Sequence, residues 1–272
     1  GQKMWISNAG FAEVLIVFAR IEDDKNITAF LLNYNKDNPN GITLGAEENK
    51  LGISSSSTRQ VFFNDTLVPV EDMLSDRGKG VKIALNSLNV GRINLAAACL
   101  DASRRVINLS VQYANERKQF KVPISSFGAI QKKLAEMSTR TFAVESATYR
   151  AAKDIQNMID DLLEDGKSHE EAELIAFSEY AIECAMLKVY GSEVSQFVSD
   201  EGIQIFGGMG FSKDTPMESA WRDARITRIY EGTNEINRLL TVGMLLKKAM
   251  KGQIDIVTPA MAVGESLLSI PS

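Results

Sequence analysis

Histidine is almost absent: His169 is the only one in 272 residues. A His-based catalytic triad or a His-rich metal centre would have to be built on that single side chain, so no metal site is expected. Cysteine is nearly as scarce. Cys99 and Cys184 are the only two, and both sit in helix-like apolar patterns. That excludes a disulfide scaffold and a cysteine zinc site, and it fits a reducing compartment. No run of basic residues occurs, and 30 Lys and Arg against 35 Asp and Glu leave a net charge of −5. A nucleic-acid groove is therefore not expected. No uninterrupted apolar stretch approaches the ~20 residues of a membrane span. Acid–base chemistry in such a chain falls to a carboxylate.

What is present divides into two textures. Residues 1–75 carry short β-rich runs, Met4 to Ile6, Val14 to Phe18, Ile27 to Leu32 and Gln60 to Phe63, separated by polar turns such as Glu22 to Asn26 and Asn35 to Gly41. These predict an antiparallel barrel or sandwich. The opening Gly1-Gln2-Lys3-Met4-Trp5 reads as the middle of a strand region, so the chain is expected to be an internal piece of a longer polypeptide. From Lys79 onward apolar residues recur three or four apart. Leu85, Leu88, Leu95 and Cys99 mark one helix, and Phe127, Ile130, Leu134 and Met137 start a second. A stripe from Leu174 to Val198 marks a third, opened by the capping box Ser168-His169-Glu170-Glu171. A fourth is predicted over Asn234 to Met250, N-capped by Thr233. The fold class is thus α+β: a partial antiparallel β-barrel or sandwich (1–75), then a four-helix bundle (76–250), then residues 251–272 as the start of an extension.

Four segments are candidates for chemistry. Tyr230-Glu231-Gly232-Thr233 sets a carboxylate beside an aromatic, a glycine and a helix start. Glu231 reads either as a surface acid or as a general base in a partly closed site. Gln204-Ile205-Phe206-Gly207-Gly208-Met209-Gly210-Phe211 reads as a helix end or as backbone against which a ligand lies flat. Arg117, in Glu116-Arg117-Lys118-Gln119-Phe120, reads as a helix-end cation or a phosphate fork. Trp5-Ile6-Ser7 places an indole and a hydroxyl at a strand end, where a tryptophan usually belongs to the core. Elsewhere, Glu235 and Arg238 are spaced to pair on one helix, and His169 reads as a solvated helix-start residue.

Taken in order, these segments resemble the acyl-CoA dehydrogenase family, and within it the very-long-chain-like branch. The motifs are Lys3 to Asn8, Leu51 to Ser55, Glu116 to Phe120, Gln204 to Phe211, and Arg222-Asp223-Ala224-Arg225 through Thr233. The resemblance runs from Gly1 to about Met250 and implies the later part of a middle β-barrel followed by a C-terminal four-helix bundle. It implies FAD-dependent α,β-dehydrogenation of fatty acyl-CoA thioesters, with Glu231 removing the α-proton and the β-hydrogen leaving as hydride to flavin N5. Trp5, Ile6, Ser7, Thr233, Asn234 and Glu235 match flavin-contacting positions. Arg117, Phe120, Gln204, Gly207 and Gly208 match positions that reach the FAD of a neighbouring subunit, so a homodimer or homotetramer is implied. Asn89, Arg92, Tyr230 and Gly232 match positions beside the substrate. Some branches carry the base on the helix around Asn89 to Arg92; here that stretch holds no acid. The implied electron acceptor is an electron-transfer flavoprotein, and the implied compartment is a bacterial cytoplasm or a mitochondrial matrix, with membrane association left open. The alternatives are an acyl-CoA oxidase, or an assembly protein that kept the bundle and lost catalysis. The isolated piece is expected to be inactive and to hold FAD weakly.

Overall fold

The computed structural model describes residues 1–268; part of the expected 251–272 extension lies outside them. The first third is strands: β1 (Gln2–Ser7), β2 (Val14–Ala19), β3 (Thr28–Asn33), β4 (Ile42–Leu44), β5 (Thr58–Phe63) and β6 (Met73–Leu74). They form two antiparallel sheets, ordered β1-β5-β4 and β2-β3-β6. Their apolar faces meet over Ala9, Leu32, Ile42 and Val61, with Ile6, Leu15, Val17, Phe30 and Phe63 packed around them. The period-2 alternation places those side chains inward. The register between β1 and β5 shifts between Lys3 and Ile6. Trp5 lies within that irregularity at φ 59°. A bulge re-aims a side chain out of the pleat, and the indole is 61% exposed rather than in the core.

The rest is helical. The long helix α1 (Gly80–Glu116) leads through a hairpin, β7 (Lys118–Gln119) and β8 (Val122–Pro123), to the equally long α2 (Gly128–Glu164). The hairpin turn has Phe120 and Lys121 both at positive φ, as a tight primed turn requires. Then come α3 (His169–Glu179), α4 (Ala181–Phe206), the single turn α5 (Gly208–Phe211), α6 (Met217–Ile226), α7 (Asn234–Met250) and α8 (Val257–Leu268). Leu100, Val106, Met137, Val144, Val194, Val198 and Met217 fill one end of the bundle core. Ile93, Ala96, Ala151, Ile155, Cys184 and Leu187 fill the other.

The stripe expected to be one helix from Ser168 to Val198 is two. The chain leaves the helix at Tyr180 (φ −89°, ψ 20°), which caps α3 and opens α4. Hydrogen bonds from Tyr180 N to Ala176 O and from Cys184 N to Tyr180 O, both 3.0 Å, carry the ladder across the break. The apolar phase is thus unchanged, which is why a period count does not reveal it. Ser168 does accept the amide of Glu171, but the Glu171 carboxylate pairs with Lys167 instead of closing the capping box. By length and mean hydropathy α1 alone among the described helices meets a membrane-span criterion, although no unbroken apolar run does. One face of it packs into the bundle, with Asn86, Asn89 and Arg92 buried along it.

Two contacts tie the sheets to the bundle. The amide of Gly80, first residue of α1, donates to Ile27 O (2.9 Å). The Leu51-Gly52-Ile53 turn sits on α6, where Arg222 Nη1 donates to Leu51 O (2.7 Å) and Asp223 Oδ1 accepts from Ile53 N.

Candidate active site

Glu231 stands in the short link between α6 and α7. Its φ is 59° and that of Gly232 is 80°. Two successive left-handed residues turn the chain sharply; glycine adopts this freely, while for glutamate it costs on the order of 1 kcal/mol. Thr233 Oγ1 then accepts from Ile236 N (3.3 Å) and starts α7. The strained carbonyls are held from three sides. Arg92 Nε of α1 donates to Glu231 O (3.2 Å). Asn237 Nδ2 of α7 donates to the carbonyls of Glu231 (3.3 Å), Gly232 (2.8 Å) and Thr233 (3.1 Å). Lys188 Nζ of α4 donates to Gly232 O (2.7 Å) and to Asn234 Oδ1 (2.8 Å). Asn234 Nδ2 in turn reaches Ser192 Oγ (3.0 Å).

The Glu231 carboxylate lies across α1 at Gly91. A methyl group added there would sit 2.8 Å from Oε2 and 3.0 Å from Cδ. Any larger residue at 91 would displace the acid. Oε2 is buried and makes no hydrogen bond. A buried polar atom without a partner is unusual and marks a place where a ligand can approach. The Arg92 guanidinium is buried; burial pulls it below its ordinary value while the Glu231 charge opposes that. Asn89 Oδ1 accepts from Arg92 Nη1 (3.3 Å), fixing the guanidinium. Burial pushes the Tyr230 phenol up to about 12.

Asn89 and Arg92 also line a groove of about 420 Å³ between α1, α4 and α7, walled by Leu85, Ala181, Leu240 and Met244. A separate cavity of about 520 Å³ among Ile93, Ala97, Ile155 and Phe177 contains none of the predicted residues. No cluster of metal-ligating side chains occurs among the described residues.

The remaining predicted residues fall elsewhere. Trp5, Ile6 and Ser7 lie on β1, the first and third exposed. Arg117 caps the C-terminus of α1, and Phe120, 82% exposed, tops the hairpin. Gln204, Gly207 and Gly208 lie at the C-terminus of α4 beside them, joined by Tyr113 stacking on Phe206 at 4.1 Å. Both glycines have open space where a Cβ would be. From Gly91 to Arg117 the rise along α1 is about 39 Å. The two groups therefore occupy opposite ends of the bundle. Glu235 does not pair with Arg238 as expected: Arg238 reaches across to Glu193 (2.8 Å) on α4. His169 is the exposed first residue of α3, as expected.

Sequence reasoning missed Lys188 and Asn237. A hint existed for the lysine: it follows Cys184 by four residues, on the apolar stripe of α4, where a solvated charge does not belong. Nothing in the sequence pointed to Asn237.

Residues 78–245 match the family model "Acyl-CoA dehydrogenase, C-terminal domain", and residues 1–66 match "Acyl-CoA dehydrogenase, middle domain". The chain is 45% identical over 272 residues to a probable acyl-CoA dehydrogenase of Bacillus subtilis (strain 168), covering 99% of this chain and 45% of that protein. It is 39% identical to the mitochondrial short-chain specific acyl-CoA dehydrogenase of Sus scrofa (91% and 55%). It is 38% identical to the mitochondrial very long-chain specific acyl-CoA dehydrogenase of Homo sapiens (98% and 38%). The crystal structure of an acyl-CoA dehydrogenase complexed with FAD from Bacillus anthracis superposes with a TM-score of 0.90 at 43% identity, over 98% of this chain and 45% of that one. The chain belongs to the acyl-CoA dehydrogenase family. It spans about half the length of the curated relatives it matches.

Proposed function

We propose that this chain contributes the base and the substrate groove of an FAD-dependent acyl-CoA dehydrogenase that introduces an α,β double bond into fatty acyl-CoA thioesters. One observation carries this reading: Glu231 Oε2 is buried, unpaired and aimed across Gly91, in a turn braced by Arg92 and Asn237. In the proposed reaction the Glu231 carboxylate removes the α-proton. Arg92, itself fixed by Asn89, holds the Glu231 carbonyl so that the carboxylate stays in reach. Tyr230 and Gly232 flank the acid, and the groove along Asn89 and Arg92 takes the acyl chain. A bound flavin supplies the acceptor for the β-hydrogen.

The residues present fit that cofactor. The bulge turns the Trp5 indole out of the sheet, leaving an aromatic face for an isoalloxazine, with Ile6 and the Ser7 hydroxyl beside it. Thr233, Asn234 and Glu235 offer polar contacts from the α7 N-terminus. Arg117, Phe120, Gln204, Gly207 and Gly208 are assigned to the FAD of a neighbouring subunit. The ~39 Å between them and Glu231 exceeds what one chain would bridge to one ligand, and this supports a homo-oligomer.

The very-long-chain-like branch is favoured by coverage, since that human relative matches 98% of the chain and the pig short-chain relative 91%. We assign residues 1–75 to the middle β-domain and 76–250 to the bundle domain. An electron-transfer flavoprotein is the proposed acceptor, and a bacterial cytoplasm or mitochondrial matrix the proposed compartment.

The test uses the full polypeptide carrying this sequence, loaded with FAD and mixed anaerobically with acyl-CoA of graded chain length. Bleaching of the oxidised flavin band is expected. Glu231→Gln should retain FAD and slow bleaching by at least ~10³-fold. A wild-type flavin that no acyl-CoA bleaches refutes the reading, and rapid peroxide formation in air would reassign the enzyme as an oxidase.

A further inference from the structure

One buried charge has no part in the reaction as described. Lys188 lies in the middle of α4 and is 0% exposed. Its ammonium makes no ion pair among the described residues, and its acceptors are the Gly232 carbonyl and the Asn234 side chain. Burying a cation against neutral acceptors is unfavourable, and a methionine would fill the same space without that cost. The groups facing it are Arg92 and Cys99 from α1, Glu231 from the link, and Asn234 and Glu235 from the start of α7. One acceptor, Gly232, lies in the turn that aims the proposed base, and the other, Asn234, opens the helix that follows it.

Resting on the function proposed above, we propose that Lys188 is a positioning residue. Its ammonium grips Gly232 and Asn234 and thereby fixes the left-handed Glu231–Gly232 turn that points the carboxylate across Gly91. The grip depends on charge, because a charged donor bonds a carbonyl about twice as strongly as a neutral one. Burial first, then the Arg92 charge, lower Lys188 to about 8, against the smaller opposing pulls of Cys99, Glu231 and Glu235. Burial holds the Cys99 thiol up at about 11, and Arg92 keeps its proton. Loss of the Lys188 proton above that pH should therefore loosen the turn and slow proton abstraction.

The experiment compares the full-length, FAD-loaded wild type with Lys188→Met, and with Lys188→Gln, which keeps a neutral donor, should the methionine variant fail to hold FAD. Three quantities are read: the anaerobic flavin-reduction rate, the acyl-CoA dissociation constant, and amide hydrogen exchange over residues 227–234. The expected result is a reduction rate lower by about 10- to 100-fold. Substrate affinity should stay within about threefold, and exchange should be faster in the link but not in α1 or α4. The wild-type rate should fall above pH 8, and the variants should lack that limb. A wild type without the alkaline limb overturns the inference, as does a variant with wild-type rate and exchange or with its loss confined to acyl-CoA affinity. Those outcomes leave the proposed function standing; a wild-type flavin that acyl-CoA never bleaches overturns both.

Discussion

Gly91→Ala isolates the placement of the carboxylate from the stability of the fold. Gly91 is interior to α1, and the three atoms nearest the position of an added methyl are those of the Glu231 carboxyl group, at 2.8, 3.0 and 3.1 Å. Ordinary contact begins at 3.4 Å, so the acid must retreat by roughly 0.6 Å. Those atoms end a flexible side chain, so the backbone need not move. Misplacing a reacting group by about 1 Å costs on the order of 10²-fold, which puts the expected loss near tenfold or somewhat more. Helix propensity acts in the opposite direction: alanine in place of a helix-interior glycine adds about 0.5–1 kcal/mol. In the full polypeptide, larger than the domains for which a kcal/mol is worth about 2–4 °C, Tm should rise by no more than about 2 °C and should not fall. Stopped-flow flavin reduction and a thermal melt, on the same FAD-loaded preparation of the full polypeptide, measure both. A variant that reduces flavin at the wild-type rate, or one that melts earlier, refutes the assignment of Gly91 as the floor beneath Glu231.

Gly52→Ala should act on stability. Its added methyl would lie 2.5 Å from the Arg222 carbonyl oxygen and 2.6 Å from its carbon, backbone atoms that cannot swing aside. Prising the turn from α6 should cost about 1–3 kcal/mol and lower Tm by several degrees; an unchanged melt would show that the contact is not tight. Glu47 accepts from Ser57 Oγ (2.8 Å), Thr58 N (2.9 Å) and Arg59 Nε (2.7 Å), which hold its carboxyl down at about 2 against an ordinary 4.5. Because the folded value is the lower one, this contribution is fully present above pH 4.5 and is lost as the pH falls towards 2. Glu47→Gln should therefore flatten the stability-versus-pH curve between about pH 5 and 2, read by urea unfolding; an unchanged slope would refute the linkage.

Much of the helical part was readable because its evidence is local. Thr233 followed by an apolar period predicted α7 over the span it occupies, and Ser168 marked the start of α3. A hydroxyl that caps an amide three residues on acts within a single turn, so the sequence carries the whole interaction. Strands β1, β2, β3 and β5 were found for the same reason, while the short β4 and β6 were not, nor was the bulge that turns Trp5 outward, because it arises from a register shift against β5. The break at Tyr180 escaped because the apolar phase on either side of it is the same.

The acid, the glycine after it and the cap after that are written contiguously in Glu231-Gly232-Thr233; the sequence alone determined where the next helix begins, and the family resemblance marked Glu231 as the candidate base. Its surroundings are not contiguous. Gly91 precedes the acid by 140 positions, Arg92 by 139 and Lys188 by 43. That a glycine on α1 forms the floor beneath the carboxylate, and that a lysine on α4 grips the carbonyl beyond it, follows only from how α1 and α4 pack against the link to α7. Packing between elements depends on the whole core. No local pattern encodes it, which is why Lys188 was not singled out from the sequence and gained a role only from its tertiary partners, Gly232 and Asn234.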